Sequence, residues 1–325
     1  MVKSMGIKVM RFLLLLMAVT AIAFIFVSFS PMDPIVQYTT RHGMSLSDEQ
    51  KALLMEQWDM QKPLLTRYFS WLSHVFQGDL GYSYMYSRPV ISIIIESVGA
   101  SLLLMSISWV LQGILGFFLG ILAGLHHDRL LDNIIKTFAI ITTATPTYWM
   151  AILCILIFSV KLQWFPIGFG TPIGMEGTQV TFWDRLYHSI LPALTLAIIG
   201  TGRIILHTRE KVIETMNEDF VLYQRSRGYE GWSLIWKAAL RNVMLPAVTL
   251  QFMNFSELFS GTILAEQAFN YPGLGKYTVN AGVQGDLPLL LGITIFCAMF
   301  VYVGNQCADG VAKYVDYRTK RRYEA

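Results

Sequence analysis

Long apolar stretches separated by polar segments dominate this sequence of 325 residues. A helix that crosses the hydrocarbon core of a membrane needs roughly 20 mostly apolar residues. This length requirement predicts six membrane-spanning helices, and the fold class is therefore all-α, a polytopic membrane protein. The predicted spans are about Val9–Phe29, Val98–Leu125, Ile134–Val160, Ser189–Leu206, Met244–Leu264 and Pro288–Cys307.

The first apolar run, Phe12–Phe29, follows Lys3, Lys8 and Arg11 and could be mistaken for a secretory signal peptide. Its length of about 18 residues exceeds the usual 7–15 residues of a signal core. No small-x-small cleavage site precedes Pro31. We therefore expect an uncleaved first span.

The first outer segment, residues 30–97, is long enough to fold on its own. Ser47 and Gln50 form a capping-box pattern for a helix that continues to about Asp59, and Pro63 is suited to open a second helix. That second helix has an amphipathic face, expected to pack on the protein's own spans or to lie on the membrane or a partner. The face consists of Leu64, Leu65, Tyr68, Phe69, Leu72, Val75 and Phe76.

The distribution of positive charge predicts the orientation of the spans. The N-terminus, the turn at 126–136, the loop at 203–243 and the tail from 308 hold 17 of the 25 Lys and Arg residues. Positive residues concentrate on the cytoplasmic side of membrane proteins, so both termini are expected in the cytoplasm. The net charge of +3 is small and dispersed, which gives no support to a nucleic-acid partner.

Neither the cysteines nor the histidines have the spacing of a metal site. Cys154, Cys297 and Cys307 fall in or beside apolar segments, as small packing residues do. His126 and His127 lie in a cytoplasmic turn, and the 16 methionines are scattered. No bound metal is expected, although a transported metal chelate stays possible.

Glycine and proline mark two of the spans. Gly113, Gly116, Gly120 and Gly124 form a stripe that favours close approach of a second helix, with a substrate-lining role as the alternative. Pro146 interrupts the third span and predicts a kink, either purely structural or at a pathway or hinge.

The polar loop at 208–246 is rich in aromatic residues. Its pattern predicts two short helices, separated by a turn in which Gly228 is left-handed. Pro246 is expected in the first turn of the fifth span. The apolar face of the second short helix is predicted to be Trp232, Ile235, Trp236 and Leu240.

Basic and aromatic side chains together make this loop a candidate docking patch, a better explanation of its aromatic content than a solvated loop without a partner. The patch consists of Tyr223, Arg225, Arg227, Tyr229, Trp232 and Lys237.

Tyr223, the basic residues, Gly228 and, eighteen positions after that glycine, Pro246 resemble the cytoplasmic coupling motif of ABC importer permeases. The spacing is similar to the dipeptide, oligopeptide and nickel branch. Other motifs of that branch follow in order: FSPMDP (Phe29–Pro34), KPLLTRY (Lys62–Tyr68), GDLG (Gly78–Gly81), RPV (Arg88–Val90), PTYW (Pro146–Trp149), WFPI (Trp164–Ile167), LPALTL (Leu191–Leu196) and PGLGK (Pro272–Lys276). Departures are Met32 in place of a glycine, Glu257 in place of a small residue, and the polar stretch Asn305–Gly310.

This resemblance implies a cell-membrane permease subunit that forms half of a translocation pathway for dipeptides or oligopeptides. The alternative is the same architecture importing nickel or a metal chelate. The implied partners are a second homologous permease, two ATPase subunits that bind ATP and Mg, an extracytoplasmic substrate-binding protein and membrane lipid. The implied ATPase-coupling positions are Tyr223, Arg225, Arg227, Gly228, Leu245 and Pro246.

No catalytic motif accompanies these features. A phosphate-binding loop needs G-x-x-x-x-G-K followed by Ser or Thr, whereas Gly273–Thr278 lacks the upstream glycine and has Tyr277 after its lysine. The chain is therefore expected to be no enzyme and to hold no cofactor. An ATPase-independent secondary transporter is a remaining alternative, but it would have no use for a docking loop, and no inverted repeat is visible.

Two acidic residues, together with Pro146, are candidates for the substrate pathway. A carboxylate at mid-span costs roughly 2.5–3.5 kcal/mol unless it faces a wet cavity or a partner, so Glu257 is expected to face the pathway. It could bind a cationic group, bond to the partner permease, Asn254 or Ser256, or carry protons. Glu266, at the outer end of the fifth span, is a candidate gate or receptor contact, with helix-end solvation as the simpler explanation.

The predicted organisation has four segments. Residues 1–29 hold the N-terminus and first span, 30–97 form an extracytoplasmic helical segment, and 311–325 form a cytoplasmic tail. Between them, residues 98–310 form a five-helix permease core that includes the coupling loop 208–246.

Overall fold

The computed structural model describes residues 2–29, 33–172, 174 and 180–323, with side chains placed between residues 10 and 313. Ser30, Pro31 and Met32 of the FSPMDP motif, and the side chains of the basic tail, lie outside this description. The regular secondary structure of the described residues is helical, apart from an isolated antiparallel bridge between Tyr82 and Pro89. The helices are α1 Val2–Ser28, α2 Pro34–His42, α3 Asp48–Gln57, α4 Leu64–Phe76, α5 Val90–Leu125, α6 Leu130–Ala144, α7 Thr147–Cys154, α8 Phe182–Met216, α9 Asp219–Ser226, α10 Gly231–Leu234, α11 Leu240–Met253, α12 Phe255–Ala268, α13 Leu274–Gln284 and α14 Leu287–Tyr323.

Four of these helices are long and apolar enough to cross a membrane, at Met10–Ser28, Val90–Leu125, Phe182–Met216 and Leu287–Lys313. A fifth candidate is the pair Leu130–Ala144 and Thr147–Lys161, which is bent by 110° at its break. The protein is therefore a multi-pass membrane protein.

The bend in that pair lies at Pro146, as the sequence predicts, but it is a complete break between two helices. Thr145 has an extended backbone, with φ −84° and ψ 127°. The residue before a proline is driven out of the helical region by a clash with the proline ring. After Cys154, the chain continues in π-helical turns through Ile155–Lys161.

The predicted span at 244–264 is divided at Asn254 into α11 and α12, each of 14 residues. Neither part reaches the length needed to cross a membrane alone. The prediction that Pro246 lies in the first turn is wrong, because the proline lies inside α11. The helix starts earlier because Ile235, Ala239 and Val243 are buried together in one core cluster, which extends helical structure toward the N-terminus.

The chain separates into two compact units, residues 1–101 with 272–302 and residues 102–271 with 303–325. In the first unit, the capping box of Ser47 and Gln50 opens α3 as predicted. The predicted apolar face of α4 is divided. Tyr68 is buried in a cluster with Phe24, whereas Leu65 and Phe76 are 72% and 78% exposed.

Asp286 organises the turn before α14 in this first unit. Its carboxylate is fully buried and accepts hydrogen bonds from the Ser83 hydroxyl at 2.5 Å and from the backbone N–H groups of Tyr84, Met85 and Leu289. Burial raises the pKa of this carboxyl above its ordinary value, and the four donors act in the opposite direction. Asp286 therefore caps the N-terminal end of α14 and holds Ser83, Tyr84 and Met85 against it.

The glycine stripe of α5 packs directly on α8 in the second unit. A Cβ atom built on Gly116, Gly120 or Gly124 would lie 2.6 Å from the Cβ of Ile204, Thr208 or Val212, respectively. These distances are far below van der Waals contact, so the two helix backbones approach closely only because the side chains are absent. The predicted packing role of the stripe is confirmed.

We expect Gly120→Ala to destabilise the protein by about 1–3 kcal/mol, the usual range for overpacking. The added methyl group would also lie 2.9 Å from the carbonyl oxygen of Ile205, a backbone atom with little freedom to move. The measurement is the thermal unfolding midpoint of the purified protein in detergent.

The control for this variant is Gly99→Ala, on the same helix, where nothing lies within 4 Å of the added Cβ. This control should leave the midpoint unchanged or raise it, because alanine favours a helix over glycine by about 1 kcal/mol. Equal midpoints for the two variants would contradict the packing explanation.

Candidate translocation pocket and coupling surface

A cavity of about 240 Å³ lies within the second unit, where the two broken helices meet α8. Thr147, the first residue after the break at Pro146, lines it, and so does Asn254, where α11 ends. Breaks in membrane helices are tolerated where the freed backbone lines a cavity or is covered by protein. The remaining lining residues are Gln112, Thr143, Leu196, Ile199, Gly200, Arg203, Glu257, Leu258, Ser260, Gly261 and Leu264.

An ion pair between Arg203 of α8 and Glu257 of α12 forms the charged part of this lining. The guanidinium contacts both carboxylate oxygens, with Nη2 donating to Oε1 at 2.9 Å and Nη1 donating to Oε2. Nη1 also lies 3.4 Å from the Oδ1 atom of Asn254. The side chains of Arg203 and Glu257 remain 47% and 61% exposed, so the pair is open to the cavity.

Glu257 therefore lines a cavity, but its charge is balanced by Arg203, a partner that sequence reasoning missed. The predicted cytoplasmic loop at 203–243 includes Arg203, whereas α8 continues without interruption to Met216. Ser256, a predicted partner of Glu257, instead donates to Asn305 at 2.6 Å. The sequence does contain a signal for this pairing, because an arginine and a glutamate each lie in or beside an apolar stretch and carry opposite charges.

Glu266 is completely buried, so helix-end solvation does not explain it. It lies in the last turn of α12, and its backbone carbonyl accepts from the N–H of Tyr271 at 2.8 Å. Glu266 is not among the residues that line the cavity. Of the three pathway candidates, the structure brings Glu257 and the break at Pro146 to one cavity, and Glu266 to the interior of the same unit.

The predicted coupling segment, which is the part of the loop 208–246 that follows α8, begins with α9, and two residues separate α9 from the end of α8. Gly228 has φ 87°, the left-handed conformation predicted for it. Arg225 and Arg227 are exposed, and the Arg227 guanidinium lies 6.0 Å from the centre of the Tyr223 ring. Lys237 lies 4.0 Å from the Tyr229 ring centre, and its hydrogen bond and positive charge lower the pKa of that tyrosine.

A hollow of about 430 Å³ opens beside these residues, bordered by basic, amide and aromatic side chains. Its lining consists of Phe220, Tyr223, Gln224, Lys237, Ala238, Arg241 and Asn242. Tyr223 is 62% exposed at its edge. Such a basic concave surface with an exposed aromatic side chain is suited to a protein partner.

The predicted apolar face of the second short helix is only half right. Ile235 is buried and Leu240 packs with it, but Trp232 and Trp236 are 40% and 62% exposed. The chain from Ile235 to Ala239 winds as π-helical turns, which changes the angular spacing on which the prediction relied. Leu245 and Pro246 are partly buried within α11.

A second ion pair joins α6 to α8. Arg209 donates to both oxygens of Asp132, from Nε at 2.6 Å and Nη2 at 2.7 Å. The side chains of Arg209 and Asp132 are 13% and 0% exposed, respectively, so this ion pair is dry, that is, shielded from solvent. Ligand atoms of His127, Asp128 and Asp132 lie within 4.8 Å of one another, but Arg209 already occupies both Asp132 oxygens.

Residues 116–321 match the protein family described as binding-protein-dependent transport system inner membrane component. The chain belongs to this family. It is therefore a permease, a membrane transport component rather than a catalytic subunit. The matched range contains the Asp132–Arg209 ion pair and the predicted coupling segment. It also contains every residue of the cavity lining except Gln112.

Curated relatives align with this permease over almost its full length. It is 30% identical to the oligopeptide transport system permease protein AppB of Bacillus subtilis (strain 168), over 94% of this chain and 95% of the relative. It is 28% identical to a probable D,D-dipeptide transport system permease protein, DdpB, of Escherichia coli (strain K12), over 95% and 94% of the two chains.

We expect Arg209→Ala to destabilise the permease by about 3–5 kcal/mol, because it leaves the buried Asp132 carboxylate without its partner. The measurement is the thermal unfolding midpoint in detergent. Lys211→Ala is the control, since its ion pair with Glu214 is exposed and worth no more than about 1 kcal/mol. An unfolding midpoint for Arg209→Ala no lower than that of Lys211→Ala would contradict a structural role for the buried pair.

Proposed function

We propose that this permease forms half of the translocation pathway of an ATP-driven importer of dipeptides or oligopeptides. The observation that carries the proposal is the cavity at which two broken apolar helices meet and whose lining holds the Arg203–Glu257 ion pair. A soluble core helix would have no reason to break at such a place, whereas a translocation pathway needs polar lining within the membrane. The peptide substrate is supported by the similarity to an oligopeptide permease and a probable D,D-dipeptide permease.

The proposed arrangement has six spans. The four continuous spans and the bent pair α6–α7 give five. The sixth consists of α11 and α12 together, 14 residues each on the two sides of Asn254. Both termini then lie on one side, which the distribution of Lys and Arg assigns to the cytoplasm. The segment between α1 and α5 is then extracytoplasmic and available to a substrate-binding protein.

The coupling segment faces the cytoplasm in this orientation and is proposed to dock on an ATPase subunit. Tyr223, Arg225 and Arg227 supply the exposed contacts, and Gly228 supplies the turn between α9 and α10. Leu245 and Pro246 support the segment from within α11. The partners are two ATPases, which bind ATP and Mg, a second homologous permease, an extracytoplasmic substrate-binding protein and membrane lipid.

Uptake of labelled dipeptide tests the proposed function directly. The assay uses vesicles that hold this chain with its cognate permease, ATPases and substrate-binding protein. We expect uptake that requires ATP and is unaffected by nickel or metal chelates. ATP-dependent accumulation of the metal without peptide uptake would contradict the peptide assignment and favour the nickel alternative.

We expect Tyr223→Ala to uncouple the complex. Peptide uptake should fall at least about tenfold, because a loss of roughly 1.4 kcal/mol of docking energy has that effect. The unfolding midpoint of the permease should not change, since the side chain is 62% exposed. The measurement is ATPase activity with and without peptide-loaded binding protein, together with uptake.

Leu130→Ala is the control for this variant, because it removes a 77% exposed side chain from another predicted cytoplasmic turn. The control should couple normally. Normal coupling of Tyr223→Ala as well would remove this residue from the proposed docking surface.

A further inference from the structure

We propose that Arg203 and Glu257 form an exchange site for the two charged ends of a peptide. In this proposal the peptide ammonium group takes the place of Arg203 on Glu257, and the peptide carboxylate takes the place of Glu257 on Arg203. The inference rests on the proposed peptide-import function and specifies its substrate class, a zwitterion with both ends free.

The first reason for this proposal is the solvent exposure of the Arg203–Glu257 ion pair. An ion pair that only fastens helices is best kept dry, and the chain contains such a pair in Asp132 and Arg209, with 0% and 13% of the side chains exposed. Arg203 and Glu257 retain 47% and 61% exposure at the wall of a cavity. Both charges are therefore within reach of a solute.

The shape and composition of the lining are the second reason. The arginine fork already binds a carboxylate through two nitrogens, which is the geometry that a peptide carboxyl end also offers. Side-chain oxygens of Thr147, Asn254 and Ser260 lie in the same lining, where they can accept from peptide N–H groups. Apolar wall is provided by Leu196, Ile199, Leu258 and Leu264.

The position of Glu257 next to a helix break is the third reason. Glu257 lies in the first turn of α12, three residues after Asn254, where α11 ends. A rotation of α12 about this break would separate Glu257 from Arg203 without breaking α8.

Charge balance determines which substrates the site accepts. A peptide with both ends free replaces one ion pair by two, so no charge is left without a partner. A peptide with one blocked end breaks one ion pair and forms only one, so either Arg203 or Glu257 is left without a charged partner. The site should therefore discriminate against each blocked end, through a different residue for each end.

The test is binding of three radiolabelled peptides to the detergent-solubilised full complex without its substrate-binding protein, measured by scintillation proximity. The peptides are dialanine, N-acetyl-dialanine and dialanine amide. The variants are Glu257→Gln, Arg203→Gln and both together. The control is Lys211→Gln with Glu214→Gln, which removes an exposed ion pair of α8 outside the cavity.

In the wild-type complex we expect each blocked end to weaken binding about tenfold, the equivalent of one charged hydrogen bond. Glu257→Gln should abolish discrimination against the acetylated peptide, because that peptide no longer has to break an ion pair to reach Arg203, with discrimination against the amide retained. Arg203→Gln should abolish discrimination against the amide and retain discrimination against the acetylated peptide. The double variant should discriminate against neither blocked peptide, and the control should resemble wild type.

An equal weakening of all three peptides by each variant, unchanged discrimination between the peptides, or no saturable binding of dialanine by the wild-type complex would overturn the proposal. If the glutamine variants do not assemble, Glu257→Asp and Arg203→Lys, which keep the charges, replace them. Each should then partly lose the discrimination assigned to its own position. Peptide uptake by the wild-type complex separates the two ideas, because uptake without this binding pattern leaves the proposed function standing.

Discussion

A polar group inside the hydrocarbon of a membrane has to find its partner within the protein, and the second unit is organised around that requirement. Its helices break at Pro146 and Asn254, and both breaks lie beside one cavity. The charges of Arg203 and Glu257 meet in the lining of this cavity. Two helix breaks, several polar side chains and one ion pair are thus brought together at a single cavity.

Helix α8 connects these features along one continuous rod of 35 residues. It carries Arg203 in the cavity wall and Arg209 in the dry pair with Asp132, and the coupling segment begins two residues after its end. The glycine stripe of α5 allows α8 to be held closely along this length. Helix α8 is therefore a stiff element that can transmit a movement of the proposed docking surface to the proposed pathway.

Local rules predicted much of this fold, and the failures have physical causes. The capping box at Ser47, the break at Pro146, the packing of the glycine stripe and the left-handed Gly228 depend on few neighbours and were predictable. The position of Pro246 and the exposure of Trp236 were not, because π-helical turns and a buried cluster moved the start of the helix. The pairing of Glu257 with Arg203 joins residues 54 positions apart, which no local pattern encodes.

The central claim is that the cavity between the broken helices lies on the translocation pathway. It is tested most directly by placing a cysteine at Ser260, an exposed residue of the lining, after replacing Cys154, Cys297 and Cys307 by alanine. Membrane-impermeant thiol reagents are then applied from each side of vesicles that hold the full complex, with and without trapped ATP. We predict labelling from one side in the nucleotide-free state and from the opposite side in the ATP-trapped state. Labelling from neither side, or from the same side in both states, would contradict the claim.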